Sequence, residues 1–277
     1  MSDVPGGQRQ GGSAWHRHGR LHSDAGPPPT ARVFLMRADP ARTETLLSRH
    51  VGWLSAVERQ QLDGQRHAAI HATMALGRLL LRRCLAAATG RSEADHEIEA
   101  GPTGKPRLRG GGVEFNLSHA GDLVAVAIAP HPVGIDLEAI ETLPRVTGNA
   151  SPFYQMDPAL SPAEKVMLLA LPEADRRQSL LGLWIRKEAL VKCDGRGLAI
   201  DPATICLVTG ARPPGLVGLR LACLDPVRGF GLALAQPRAT HGARMRRLDA
   251  LPAAAALAAA NWTAVADETL RPDAEHR

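Results

Sequence analysis

Apolar positions along this 277-residue chain follow two periods, and their alternation predicts the elements. The run from Ala31 to Met36 reads as a first strand. Apolar side chains recurring at Ile70, Met74, Leu76, Leu80, Leu81 and Leu85 predict helix within Leu54 to Ala88, with Gly90 suited to its C-terminal cap. Short strands are predicted at His96 to Ala100, Val113 to Leu117 and Leu123 to Ala129, the last two joined by a tight turn over Ser118 to Asp122. Val133 to Leu137 follows as another strand. The plan then repeats. Ser161-Pro162-Ala163-Glu164 reads as a helix start, a long helical pattern runs from Ser179 to Cys193 and stops at Gly195, and strands are predicted at Thr204 to Val208, Leu216 to Leu224 and Gly229 to Ala235.

Two consecutive segments of roughly 100 residues thus each read as helix followed by strands, which predicts an α+β protein of two similar halves. The bounds are a disordered tail over 1–30, an N-terminal half over 31–138, a C-terminal half over 139–240 and a C-terminal tail over 241–277, the last containing a short Ala-rich helix. The 1–30 stretch is rich in Gly, His, Arg and Pro and has no apolar periodicity; His16, His18 and His22 fit a flexible tail better than a metal site.

Composition narrows the classes. No stretch is long and apolar enough to read as a membrane span, and the N-terminus has no apolar core of a secretory signal, so the expected location is cytoplasmic. Cys84, Cys193, Cys206 and Cys223 are scattered, without zinc spacing, and read as reduced structural thiols. The net charge of +5 invites a nucleic-acid reading, but the excess is dispersed arginine without a dense basic block, so no nucleic-acid partner is expected.

The candidate chemistry lies in carboxylates. In Val133-Gly134-Ile135-Asp136-Leu137-Glu138 the two acids sit two apart on a strand, on one face, while Ile135 and Leu137 face the other way. Like charges so placed repel unless a cation lies between them. Alone, the pair equally fits the solvated face of an edge strand. Glu188 and Lys192, at i and i+4 on the second long helix, can face one site, although as a surface ion pair they would contribute only about 0.3 to 0.5 kcal/mol. Trp184, four residues before Glu188, reads as core packing, and His119 taken alone reads as a turn residue.

Taken together, four blocks resemble the 4'-phosphopantetheinyl transferases of the single-chain, two-half type: Gly104-Lys105-Pro106, Phe115-Asn116-Leu117-Ser118-His119, Gly134-Ile135-Asp136-Leu137-Glu138, and Trp184 with Lys187-Glu188-Ala189 and Lys192. The resemblance spans about Lys105 to Gly197. It implies two halves related by a pseudo-twofold, and transfer of the phosphopantetheine arm of coenzyme A to a serine of an apo carrier protein, with 3',5'-ADP leaving. It further implies magnesium, with manganese as a substitute, held by Asp136, Glu138 and Glu188, and catalytic roles for Glu188 as base and for Lys192 at the leaving phosphate. Lys105, Ser118, His119 and Lys192 would contact coenzyme A. An arginine that many relatives carry early in the first long helix aligns with Thr73, so its role passes to Arg59, Arg66 or Arg78, with Arg59 taken as the candidate. A monomer serving acyl, polyketide or peptidyl carriers, with a lean toward polyketide or nonribosomal-peptide assembly, completes the expectation. A non-catalytic nucleotide-binding module and a metal nuclease are the alternatives.

Overall fold

A computed structural model describes residues 31–142, 156–224, 228–240, 243–258 and 268–269. The tail expected over 1–30 lies outside the described residues, as does much of the one expected beyond 241. The first strand, β1 (Ala31–Arg37), leads into α1 (Pro40–His50), α2 (Ala56–Asp63) and the long α3 (Ala68–Thr89). The predicted single helix is therefore two. Ser55 and Glu58 form a reciprocal capping box that starts α2, and Gly64 closes it before α3 begins. Gly90, at φ 72°, ends α3 as expected and donates its N–H to Ala86.

A small hairpin, β2 (Ile98–Ala100) and β3 (Pro106–Leu108), precedes β4 (Glu114–Ala120), β5 (Leu123–Ala129) and β6 (Gly134–Ala139). After α4 (Pro162–Ala170) and α5 (Glu173–Asp194) come β7 (Leu219–Leu224), β8 (Phe230–Pro237), β9 (Ala243–Leu248) and α6 (Ala254–Ala258). Thr204 to Val208 is not a strand. Asp201 caps a 3-10 turn over Pro202–Thr204, and Cys206 N–H closes a loop onto Ala211 O.

The architecture is α+β and layered. In the first sheet β9 runs parallel to β1, and β1, β5 and β4 pair antiparallel. The second sheet has the antiparallel order β6-β8-β7. Alternation along the strands assigns the faces. Phe34, Met36, Val124 and Val126 meet Leu76, Leu80 and Leu85 of α3, whereas Val33, Leu35, Ala125 and Ala127 share a core with Ile135, Leu137, Leu232 and Leu234 of the second sheet. On that sheet's far face, Ala233 and Ala235 pack beneath Leu181, Ile185 and Ala189 of α5. Asp136, between Ile135 and Leu137, consequently points toward the α5 side.

The two sheets meet along β4 and β6 through a seam built from side chains. Asn116 Oδ1 accepts from Ile135 N–H at 2.8 Å and Ser118 Oγ from Leu137 N–H at 3.1 Å. Both β4 residues advance by two as their β6 partners do, so the strands run parallel and side-chain oxygens stand in for backbone carbonyls. β6, at the end of the expected first half, thus hydrogen-bonds within the second sheet, and β9, from the expected C-terminal tail, returns to the first.

Candidate functional site

Three elements converge on one cleft. Leu117, Ser118 and His119 come from β4, Asp136 and Glu138 from β6, and Trp184, Glu188 and Lys192 from α5, enclosing about 260 Å³. The helical contribution follows from spacing, because residues 184, 188 and 192 lie one turn apart on a single face. The other faces of α5 are committed to packing. Leu181, Ile185 and Ala189 bury against the second sheet, and Lys187 turns toward α4. There its ammonium, 1% exposed, reaches Glu164 Oε2 at 2.6 Å, Ala159 O at 2.7 Å and Pro202 O at 2.9 Å. All three ammonium protons are used. Glu164 in turn accepts from Ser161 N–H and Leu207 N–H, so Lys187 of the Lys187-Glu188 pair locks α5 in place.

The strand and the helix approach each other at Gly134. A Cβ there would stand 2.1 Å from Ala189 O and 2.3 Å from Cys193 N, so only glycine permits the contact. With the backbones this close, Lys192 Nζ comes within 2.5 Å of Asp136 Oδ1. Ser118 Oγ completes the arrangement, donating to Asp136 Oδ1 at 3.2 Å and lying 3.3 Å from Lys192 Nζ. Ser118 and His119 stand within β4 rather than in the predicted turn. The strand runs on to Ala120, and Gly121, at φ 53°, and Asp122 alone make the turn.

Electrostatically the cleft is short of positive charge. Burial pushes the Asp136 carboxyl up, and Lys192 and Ser118 offset this only in part. Glu138 is raised by burial and by Asp136, with a hydrogen bond from the Trp184 side chain opposing. Glu188 is raised by burial and by Asp136, against the pull of Lys192. Asp136 Oδ2 is buried and has no hydrogen-bond partner among the described residues. These hard oxygen donors, one of them orphaned, fit a hydrated divalent cation of the magnesium type, which needs only one or two protein carboxylates. Among the described residues no three His, Cys, Asp or Glu side chains already close around one metal position. Lys192 holds Asp136 Oδ1 instead.

The remaining expected residues divide. His119 lines the cleft, its pKa lowered by burial and by the nearby cations Lys192 and Arg78. Arg59 is turned back on its own element, donating to Leu54 O at 3.0 Å. Arg82 is buried against Glu58, and Thr73 is buried with its hydroxyl on Ala69 O and Ile70 O. Arg78 is the α3 arginine whose field reaches His119. Gly77 signals this in the sequence: a Cβ there would meet Leu117 Cδ1 at 3.0 Å, so α3 lies against β4 at the turn that carries Arg78. Trp184, read from the sequence as core packing, is a cleft residue bonded to Glu138. Lys105 does not line the cleft. Its half-buried ammonium donates to Val133 O at 3.0 Å and Cys193 O at 3.2 Å.

Comparison with known proteins finds likenesses over the part of the chain that carries the helix and carboxylate cleft. Residues 132–219 match a family model described as the 4'-phosphopantetheinyl transferase superfamily. The chain is 35% identical over 103 residues to 4'-phosphopantetheinyl transferase psf-1 of Bacillus pumilus, covering 37% of this chain and 41% of that protein. It is 26% identical over 171 residues to 4'-phosphopantetheinyl transferase ffp of Bacillus subtilis and 27% identical over 171 residues to 4'-phosphopantetheinyl transferase Sfp of Bacillus subtilis strain 168, in each case covering 61% of this chain and 72% of the relative. The chain therefore spans about two-fifths of the first relative's length. Over residues 132–219 it resembles the 4'-phosphopantetheinyl transferase superfamily. The matched 132–219 stretch contains Asp136, Glu138, Trp184, Glu188 and Lys192, whereas Arg78, Ser118 and His119 lie outside it.

Proposed function

We propose that this protein transfers the 4'-phosphopantetheine group of coenzyme A to a serine hydroxyl of an apo carrier protein, releasing 3',5'-ADP, with a magnesium ion held by Asp136, Glu138 and Glu188. The observation that carries this reading is the buried, unpartnered Asp136 Oδ2 in a cleft whose three carboxylates are all pushed up in pKa. Such a cleft is poised for a cation, and a bound ion would neutralise the pyrophosphate of coenzyme A. Lys192 supplies a second positive charge beside the same carboxylate, suited to the phosphate oxygen that gains charge as ADP departs. Glu188, facing the cleft from α5, is the carboxylate available to accept the serine proton. Its raised pKa brings it nearer to a working base, and only the share of it not engaged by metal can act so. Arg78 and the His119 ring form the rim on the α3 side and suit the ribose 3'-phosphate, Arg78 by its charge and His119 by a ring hydrogen bond.

A basic protein suits an acidic carrier surface by steering its encounter. The deciding experiment incubates the protein with labelled coenzyme A, magnesium and apo acyl, polyketide and peptidyl carriers in turn. Magnesium-dependent label on at least one carrier serine is expected. Coenzyme A left intact with every carrier would overturn the reading.

A further inference from the structure

Lys105 lies in the loop between β2 and β3, outside the cleft, yet touches both elements that carry the cleft's charged groups. The loop is held in shape by its own backbone: Gly101 N–H donates to Lys105 O at 2.8 Å and Gly104 N–H to Gly101 O at 2.9 Å, with Gly104 at φ 88°. From this base the lysine stem passes against Gly195, where an added Cβ would meet Lys105 Cδ at 3.3 Å. Its ammonium then donates to Val133 O, one residue before β6 begins, and to Cys193 O, in the last turn of α5. Thr103 Oγ1 adds a bond to Gly195 O from the same loop. The last carbonyls of a helix have no partner within it, and a cation there is favoured by the helix dipole. Val133 and Cys193 also flank the place where the Gly134 backbone meets α5.

We propose that Lys105 is a positioning residue: by binding Val133 O and Cys193 O together it fixes the angle between β6 and α5, and so sets the approach of Lys192 to Asp136. Two of its three ammonium protons are committed to these carbonyls. The resemblance in sequence would instead give Lys105 to the nucleotide, and the two roles separate by experiment. In its kinetic part the proposal rests on the transferase reading above.

The test compares the full-length protein with Lys105→Met, which keeps the stem and removes the donors. Thr103→Val accompanies it as a milder lesion in the same loop, able to carry the test if Lys105→Met fails to fold. Amide hydrogen exchange, run without substrates, is expected to quicken at Cys193, Asp194 and Gly195 in both variants. In carrier labelling with coenzyme A varied, Lys105→Met is expected to lower kcat about tenfold, in keeping with the cost of sub-ångström misplacement, while KM for coenzyme A stays within about twofold. Unchanged exchange at the end of α5 overturns the proposal, as does a large rise in KM with kcat intact. If the wild-type protein labels no carrier, the transferase reading fails while the exchange comparison still decides the role of Lys105.

Discussion

Lys192 Nζ lies 2.5 Å from Asp136 Oδ1, while the other oxygen of that carboxylate, buried in the same cleft, has no partner among the described residues. One carboxylate thus faces a protein cation on one side and an unmet demand for positive charge on the other. Asp136→Asn should retain the fold, since an amide is isosteric. It should lower transfer from coenzyme A by about 10²–10³-fold, the usual cost of removing a group that stabilises developing charge. Carrier labelling, with circular dichroism to show the fold is kept, checks both parts.

The upward shifts of Asp136, Glu138 and Glu188 give the metal-free protein a pH dependence of definite sign. A carboxyl whose folded pKa lies above its unfolded one binds its proton more tightly when folded. Its contribution to stability is complete below the ordinary carboxylate range and is lost as pH rises through the raised folded value. In EDTA, Tm should therefore carry a downward term as pH climbs from about 4 toward neutrality. Magnesium should reverse it. At a concentration one hundred times its dissociation constant it would add about 2.7 kcal/mol, raising Tm by about 5–10 °C at neutral pH and by much less near pH 4. Scanning calorimetry across pH, with and without the ion, measures this; a magnesium effect of equal size at acid pH would contradict it.

Lys187 is the next residue to Glu188 but serves the fold. Lys187→Met leaves Glu164, which is 0% exposed, without its counter-charge and should cost about 3–5 kcal/mol, read by urea unfolding. Pairing Lys187→Met with Glu164→Leu should recover part of that loss, because no charge is then stranded.

Gly134 offers a sharper lesion. A methyl at 2.1 Å from Ala189 O and 2.3 Å from Cys193 N meets backbone that cannot swing aside, so Gly134→Ala must push α5 off β6. A destabilisation at or above the usual ~1–3 kcal/mol of overpacking is expected, with loss of carrier labelling in whatever protein still folds.

Much of this arrangement was legible from spacing. Asp136 and Glu138 on one strand face, and Glu188 and Lys192 one turn apart, come together as their periods require. What stayed hidden depended on distant partners or lacked a pattern. α1 buries only Thr43 among its eleven residues, so it shows no apolar stripe, and its start is marked instead by the Asp39 cap and Pro40. β9 alternates Arg with buried Ala243 and Met245, and pairs with β1 more than 200 residues earlier in the chain. The turn expected at Ser118 became strand because that hydroxyl accepts from Leu137 N–H across the seam. Trp184 has the same i, i+4 relation to Glu188 as Lys192 does, and that spacing was the available signal for placing it in the cleft.

Arg78 is the α3 arginine that the structure sets toward His119, while Thr73 is buried on its own helix backbone and Arg59 is tied to Leu54 O. Its guanidinium is half-buried, held by Gln61 Oε1 at 2.7 Å and Met74 O at 3.3 Å, so an anion reaching it would meet an oriented group. If this rim receives the ribose 3'-phosphate, Arg78→Leu removes a charge-assisted contact worth about 1.5–3 kcal/mol, or tenfold and more in affinity. The signature lies in the comparison of donors. KM for coenzyme A should rise at least about tenfold, whereas KM for 3'-dephospho-coenzyme A, already higher with the wild-type protein, should hardly move. Arg59→Leu should leave both unchanged. Equal losses with the two donors would assign Arg78 to general positioning, and a selective loss in Arg59→Leu would return the contact to α2.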